Sequence, residues 1–279
     1  MKLLALDGGG VFGIGQAGVL AAAGDAALKG FDMVAGTSIG AAVGAWTVYG
    51  MPTGMLPSFF HAWMPKIFGT RNWPSWGWRM HGARYKDDGI NDALMRTLTM
   101  RFGEADRPFF ACAVNGAVRR LKVFDSTDHE DGQWGAWEVV RASTAAPTYF
   151  PPWRGYYDGG VMVNDPEMVL IIESLRRGAK LSDIELFSIG CGREFVGEIT
   201  PPDSSTGALA YGVTILETLL QGASTMHETA ASTLPIRRHL RVQFQRGRHW
   251  EMDNPSDMRI AERVWAPQVA AAATLLKEF

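Results

Sequence analysis

The sequence is poor in three features: cysteine, long apolar runs and net charge. Its 279 residues include two cysteines, Cys112 and Cys191, in apolar runs that favour buried thiols over a disulfide framework. No stretch approaches the roughly 18 uninterrupted apolar residues of a membrane-spanning helix. The first apolar run, residues 3–6, ends at Asp7 and is too short for a secretory signal, so we expect a cytoplasmic protein.

The charges nearly balance, with 27 basic and 29 acidic side chains. Such a chain has no general attraction to nucleic acid or to anionic membranes, so no nucleic-acid partner is expected and membrane contact must be local. Hydrophobic residues make up 47% of the sequence, which is enough for a large core. Without an internal repeat or a long polar linker, the sequence predicts one domain over residues 1–279.

Apolar runs alternate with segments of helical spacing. Strands are predicted at 2–6, 31–35, 108–114, 121–124 and 184–189, and helices at 15–23, 39–49, 90–101, 137–145, 166–177, 208–229 and 257–276. This alternation favours an α/β layered fold with a largely parallel sheet. The buried stripe of the last helix is predicted to be Ile260, Val264, Val269, Ala272 and Leu275.

A glycine-rich turn, DGGGVFG at residues 7–13, follows the first strand. Gly8, Gly10 and Gly13 satisfy the GxGxxG pattern, but a dinucleotide site needs an acid at the end of the second strand, and Asp32 lies at its start. We instead favour an anion-binding nest in which the amides of Gly8, Gly9 and Gly10 face a tetrahedral oxyanion. A plain strand-to-helix turn remains the alternative.

The next strand ends in GTSIG, residues 36–40, which matches the GxSxG nucleophile elbow. The apolar strand before it and the helical run after it supply the required context, and the two glycines let strand and helix approach closely. Ser38 would then project from the sheet edge at a helix N-terminus, whose positive end favours a developing alkoxide.

A serine nucleophile needs a base. Asp158 precedes two glycines in a tight turn, and an aspartate with a pKa near 4 can serve only with close geometry and strong oxyanion stabilisation. The order of serine, acid and histidine is also met by three histidines, but none lies in a glycine-marked loop after a strand: His227, His239 and His249. A small-ester hydrolase with a histidine base stays open as an alternative.

Taken together, the motifs resemble the patatin-like phospholipase family over about the first two thirds of the chain. They are DGGG at 7–10, GTSIG at 36–40, STAAPTYFPP at 143–152, DGG at 158–160 with Asn164 and Pro166, and FSIGCG at 187–192. The resemblance implies a three-layer α/β/α sandwich and a lipid acyl hydrolase that needs no metal or organic cofactor. It assigns Ser38 as the nucleophile, Asp158 as the base, and Gly8, Gly9 and Gly10 as the oxyanion hole.

Two further expectations follow from this resemblance. Phe12 stands where the family motif commonly has arginine, which removes a cation near the oxyanion loop and leaves open a catalytically weak or inactive binding protein. Some bacterial members are effectors switched on by a cyclic nucleotide, so a small-molecule activator of this kind is a second expectation.

Half of the ten tryptophans lie between residues 33 and 86, a stretch with basic but no acidic side chains. Tryptophan beside lysine and arginine is typical of a membrane interface, which predicts a docking surface or lid around residues 55–85. Its candidate residues are Trp63, Trp73, Trp76 and Trp78. A helical cap whose aromatic side chains complete the core explains the pattern equally well.

The C-terminal third carries five arginines that could recognise phosphate: Arg237, Arg238, Arg241, Arg246 and Arg248. The alternation of residue types over residues 237–244 also fits a half-exposed strand, and this interpretation is favoured.

Overall fold

The computed structural model describes residues 1–69, 71–72, 82–193, 215, 224–247 and 250–279. Most of the helix predicted at 208–229 lies outside these ranges, as do Trp73, Trp76, Trp78, Arg248 and His249. Within the described residues, no helix combines the length and apolar character needed to cross a bilayer.

A mostly parallel sheet forms the centre of the fold. Its seven described strands are β1 Lys2–Leu6, β2 Met33–Thr37, β3 Phe109–Asn115, β4 Arg120–Asp125, β5 Tyr156–Asp158, β6 Glu185–Ile189 and β7 Arg238–Val242. They are ordered β4-β3-β2-β1-β6-β7, and β5 pairs with β3. β4 and β5 run antiparallel to β3, while the other pairs are parallel. The strand predicted in the arginine-rich segment is therefore confirmed as β7.

Helices cover both faces of the sheet. They are α1 Ile14–Ala23, α2 Asp25–Leu28, α3 Ile39–Val48, α4 Leu56–Ile67, α5 Asp88–Thr97, α6 Ala136–Ser143, α7 Glu167–Arg176 and α8 Pro255–Glu278, and residues 224–233 are also helical. The larger core joins α1, α3, α4, α5, α6 and α8 to one face, and the smaller core joins α7 to the other. This arrangement confirms the predicted α/β/α layers.

The predicted buried stripe of α8 is confirmed at Ala272, lies half-buried at Ile260 and Val269, and is wrong at Val264 and Leu275. Val264 and Leu275 are 58% and 43% exposed. Trp265 is instead buried, stacks on Phe244 with ring centroids 4.6 Å apart and donates its indole N–H to the carbonyl of Gln245. One large side chain with a hydrogen-bonded tip sets the orientation of the helix, and the buried face becomes Met258, Ala261, Trp265, Ala272 and Leu276.

Two strands meet end to end along one edge of β3, and this arrangement builds the site. β2 pairs with β3 up to Thr37, which lies opposite Cys112. β5 takes the next position, where Asp158 lies opposite Ala113. β4 pairs along the opposite edge of β3, so β5 continues the line of β2. The residue that follows Thr37 is therefore brought next to Asp158 by register alone.

Candidate active site

Ser38 lies in a sharp turn between β2 and α3, as the GxSxG pattern predicts. Its backbone has φ 55° and ψ −125°, a conformation that costs a residue with a side chain on the order of 1–3 kcal/mol. A Cβ atom added at Gly40 would lie 2.1 Å from the carbonyl oxygen of Leu6, and one at Gly36 would lie 2.3 Å from that of Gly40. Both glycines are therefore required by close backbone packing.

Buried hydroxyl groups secure the backbone around this turn. The Thr37 hydroxyl donates to the carbonyl of Val163 at 2.8 Å. The Ser38 amide donates to the Ser143 hydroxyl at 2.9 Å, and that hydroxyl donates onward to the carbonyl of Cys112 at 2.6 Å. Ser143 was not singled out in the sequence, although it is the first residue of the STAAPTYFPP motif.

Asp158 is almost completely buried at the end of β5, with 3% of its surface exposed. Its Oδ1 accepts the Gly160 amide at 2.7 Å, and its own amide donates to the carbonyl of Ala145 at 3.0 Å. A Cβ atom at Gly159 would lie 2.3 Å from the carbonyl oxygen of Cys112, so the DGG turn presses directly against β3. The predicted close approach of this turn to another backbone is present.

Burial changes the basicity of Asp158. Desolvation raises its pKa from 3.8 to about 6, against hydrogen bonds from the Ser38 hydroxyl and the Gly160 amide, which lower it. The expectation of a pKa near 4 is therefore corrected. A carboxylate with a pKa of about 6 is mostly ionised at neutral pH and accepts a proton far more readily than an exposed aspartate.

The glycine-rich turn lines the same cavity as Ser38 and Asp158, but its three amides are not equivalent. The Gly8 amide donates to the backbone carbonyl of Asn164 at 3.0 Å. The amides of Gly9 and Gly10 have no acceptor among the described residues. The predicted nest is thus reduced from three available donors to two, because Asn164, which sequence reasoning did not connect with this loop, occupies the first.

The cavity has a volume of about 340 Å³ and two kinds of wall. Its apolar wall comes from α4, α5 and the loop that follows α6, and includes Phe59, Met64, Ile67, Phe68, Ile90, Leu94 and Phe150. Its polar wall includes Arg84, Arg193, Arg246, Glu251 and Asp253. A cavity of this kind suits a ligand with a long apolar part and a polar group.

Histidine is missing from the described lining of this cavity. His61 pairs with Glu262 at the surface, and His239 pairs with Glu167 at 3.1 Å. His227 is hydrogen-bonded to the backbone of Asp165, and burial lowers its pKa. The arrangement therefore offers the Ser38 hydroxyl a carboxylate partner from Asp158 and no described imidazole.

Arg241 of β7 lies among carboxylates beneath the glycine-rich turn. It contacts Asp7 at 2.5 Å, Glu167 at 3.1 Å and Asp165 at 3.2 Å, and its side chain is 8% exposed. Burial, followed by the charge of Asp7, raises the pKa of Asp165 well above its usual value. The hypothesis that Arg241 recognises phosphate is wrong, because these acids already surround it. Its contact with Asp7 instead anchors the start of the turn.

Phe12 does not leave the region without a cation. The guanidinium of Arg246 lies 4.7 Å from the centroid of the Phe12 ring, and its Nε donates to the carbonyl of Gly192 at 2.8 Å. Arg246 is 9% exposed and belongs to the cavity wall. Phe12 itself carries no charge, but a residue from the C-terminal third brings a guanidinium next to its ring.

Of the predicted docking residues, Trp63 is described and the other three lie outside the described ranges. Trp63 is half-buried on α4, packs against Phe59, and has the ammonium of Lys66 4.4 Å from its ring centroid. Leu56, Phe60, Met64 and Ile67 turn the opposite side of α4 into the core. This part of the segment fits the helical-cap interpretation and leaves Trp63 at its edge.

Within the described ranges, no group of three or more histidine, cysteine or acidic side chains could hold a metal ion.

The chain matches a known protein family and two curated relatives. The family model described as patatin-like phospholipase matches residues 4–171, which is more than half of the chain. A "cGAMP-activated phospholipase" of Pseudomonas aeruginosa is 30% identical over 181 residues, covering 59% of this chain and 54% of that protein. A protein with the same name from Vibrio cholerae is 26% identical over 208 residues, covering 65% of this chain and 58% of that protein.

Among solved structures, VipD from Legionella pneumophila is similar with a TM-score of 0.53 and 12% sequence identity. The alignment covers 99% of this chain and 66% of that one, and at this identity it supports the fold alone. The chain spans slightly more than half the length of the curated relatives that it matches.

Proposed function

Because the chain belongs to the patatin-like phospholipase family, we propose that it hydrolyses lipid esters through an acyl-Ser38 intermediate. Asp158 takes the proton of the Ser38 hydroxyl as its oxygen attacks the ester carbonyl. The amides of Gly9 and Gly10 bind the resulting oxyanion, and the protonated Asp158 then gives its proton to the departing alcohol. In the second half, Asp158 takes a proton from the water that attacks the acyl-enzyme, and returns it to the Ser38 oxygen as the acyl bond to Ser38 breaks and the fatty acid leaves.

The observation that carries this proposal is that Ser38 and the buried Asp158 line one cavity, where burial raises the pKa of Asp158 to about 6 and the nearby Ser38 hydroxyl acts to lower it. Perturbed acids in a cavity next to a hydroxyl nucleophile are characteristic of catalytic sites. A histidine base is less well supported, because none of the four histidines in the described residues lines the cavity: His61, His129, His227 and His239.

The two walls of the cavity support a lipid substrate. The apolar wall of α4 and α5 suits an acyl chain, which would bury its methylene groups there at about 0.8 kcal/mol each. The polar wall, in which Arg84 pairs with Asp253 and Arg246 donates to the carbonyl of Gly192, suits the ester and a polar headgroup. We propose a phospholipid in a membrane surface as the substrate, with peripheral contact made by Trp63 and the segment that follows it.

A cyclic nucleotide activator is the second part of the proposal. It is supported by the names of the two relatives, both described as cGAMP-activated phospholipases. This chain matches only part of each relative. Activation by a cyclic nucleotide is therefore tested separately from hydrolysis.

The test is release of fatty acid from mixed phospholipid vesicles, with and without cGAMP, alongside covalent labelling by a fluorophosphonate. We expect the wild type to label and to release fatty acid, Ser38→Ala to lose both, and Asp158→Ala to lose release. Ser174→Ala is the matched control, since this serine is fully buried in α7 and donates to the carbonyl of Leu170 away from the cavity.

Other outcomes separate the alternatives. Labelling at Ser38 without release would point to a missing activator or to another ester. No labelling under any condition would refute hydrolysis and favour a binding protein on this fold. Loss of all activity in His227→Ala or His239→Ala, with folding intact, would contradict the dyad.

A further inference from the structure

The motif at residues 143–152 contains a serine that the proposed reaction does not use. Ser143 is the last residue of α6, and none of its surface is exposed. Its hydroxyl oxygen accepts the Ser38 amide at 2.9 Å and its proton goes to the carbonyl of Cys112 at 2.6 Å. A buried hydroxyl that both donates and accepts a hydrogen bond is held rigidly.

This hydroxyl stands where the strand ladder ends. Thr37 is the last residue of β2 that pairs with β3, opposite Cys112, and at Ser38 the chain turns away with a positive φ. The Ser143 hydroxyl is inserted between the Ser38 amide and the Cys112 carbonyl. It therefore gives the departing chain a hydrogen-bonded link to β3 at the point where the backbone is strained.

The same end of α6 also holds the base. The carbonyl of Ala145, two residues after Ser143, accepts the Asp158 amide at 3.0 Å. The Cys112 carbonyl oxygen that accepts the hydrogen bond from Ser143 is also the atom against which Gly159 packs. One short segment thus contacts the backbones of both Ser38 and Asp158.

We infer that Ser143 is a positioning residue, whose buried hydroxyl fixes the Ser38 backbone against β3 and so sets the Ser38 hydroxyl at the Asp158 carboxylate. This inference rests on the proposed function, because it gives Ser143 its effect through the nucleophile. It assigns the hydroxyl no contact with substrate. The geometry makes the turnover rate, rather than substrate binding, the quantity that depends on Ser143.

The experiment compares wild type, Ser143→Ala, Ser143→Cys and the control Ser174→Ala. Cysteine fills the site with an atom somewhat larger than the serine oxygen but hydrogen-bonds weakly, so it removes the hydrogen bond without leaving a cavity. Each variant is measured for kcat and KM on a short soluble ester, for the rate of fluorophosphonate labelling, for thermal unfolding, and for hydrogen exchange at the Ser38 amide. We expect both Ser143 variants to lose about 10- to 100-fold in kcat and in labelling rate, with KM within about twofold.

Hydrogen exchange at the Ser38 amide should accelerate in both Ser143 variants and stay unchanged in Ser174→Ala. Labelling of the Ser143 variants within twofold of wild type would overturn the inference, as would an equal loss in Ser174→Ala or a loss carried by KM. The proposed function fails separately: if the wild type does not label, but the Ser38 amide is protected and loses protection in Ser143→Ala, hydrolysis is refuted and the positioning contact stands.

Discussion

Replacing Asp158 by asparagine should abolish hydrolysis and yet stabilise the fold. In the folded protein, burial raises the pKa of this carboxyl from 3.8 to about 6, so the folded state binds the proton more tightly than the unfolded state does. The stability associated with this group is fully present below about pH 4 and is lost as the pH rises to about 6. A shift of about two units corresponds to about 3 kcal/mol at pH 8.

Asparagine has nearly the same shape and carries no charge. Its carbonyl oxygen can still accept the Gly160 amide that Asp158 now accepts at 2.7 Å. We therefore expect Asp158→Asn to raise the free energy of unfolding by about 1–3 kcal/mol at pH 8 and to change it little at pH 4, since the amide has its own desolvation cost.

The measurement is urea unfolding of wild type and Asp158→Asn at a series of pH values from about 4 to 8, followed by fluorescence. Ser38→Ala is the control, because it removes activity but leaves the buried carboxylate in place and should gain no stability. Equal stability of wild type and Asp158→Asn at pH 8, or a gain that is largest at pH 4, would refute the reasoning about the pKa of this group.

Three further predictions concern the pH profile, the elbow and the ion cluster. The rate of fluorophosphonate labelling should rise through about pH 6 as Asp158 ionises and then level off; a flat profile between about pH 5 and 8 would contradict its role as base. Gly40→Ala should lower the free energy of unfolding by at least about 1–3 kcal/mol in thermal melts, because its Cβ would meet a backbone oxygen at 2.1 Å, whereas Gly30→Ala, with open space around it, should be nearly neutral. Arg241→Gln should cost about 3–5 kcal/mol in urea unfolding, because it leaves the buried Asp7 without its cation. Arg237→Gln should cost less than about 1 kcal/mol, since the Arg237 side chain is 68% exposed; equal costs would argue against the anchoring role of Arg241.

Much of the layer architecture was predictable because each long element carries its own pattern. The strands at the centre of the sheet are continuous apolar runs, which is typical of parallel strands buried on both faces. β5 was not predicted, since three residues are too few to show a period. The helix α4 was also missed, since its many aromatic residues and the internal Pro65 hide its helical spacing.

Only some features of the candidate site could be predicted from the sequence. The glycines around Ser38 and after Asp158 were predictable because a missing side chain marks a close approach of backbones. The hydrogen-bond partner of the Gly8 amide could not be predicted, since Asn164 is far from Gly8 in the sequence. The same holds for Arg241, whose surrounding acids come from other elements, and for the pKa of Asp158, which depends on complete burial in the folded protein.

Because β2 and β5 meet on one edge of β3, the reactivity of Ser38 also reports a step of folding. Ser38 and Asp158 are 120 residues apart in the chain, so their contact has a high contact order and forms only after β5 has docked on β3. Covalent labelling of Ser38 during refolding would then report the arrival of that one short strand, separately from collapse of the core or formation of the helices.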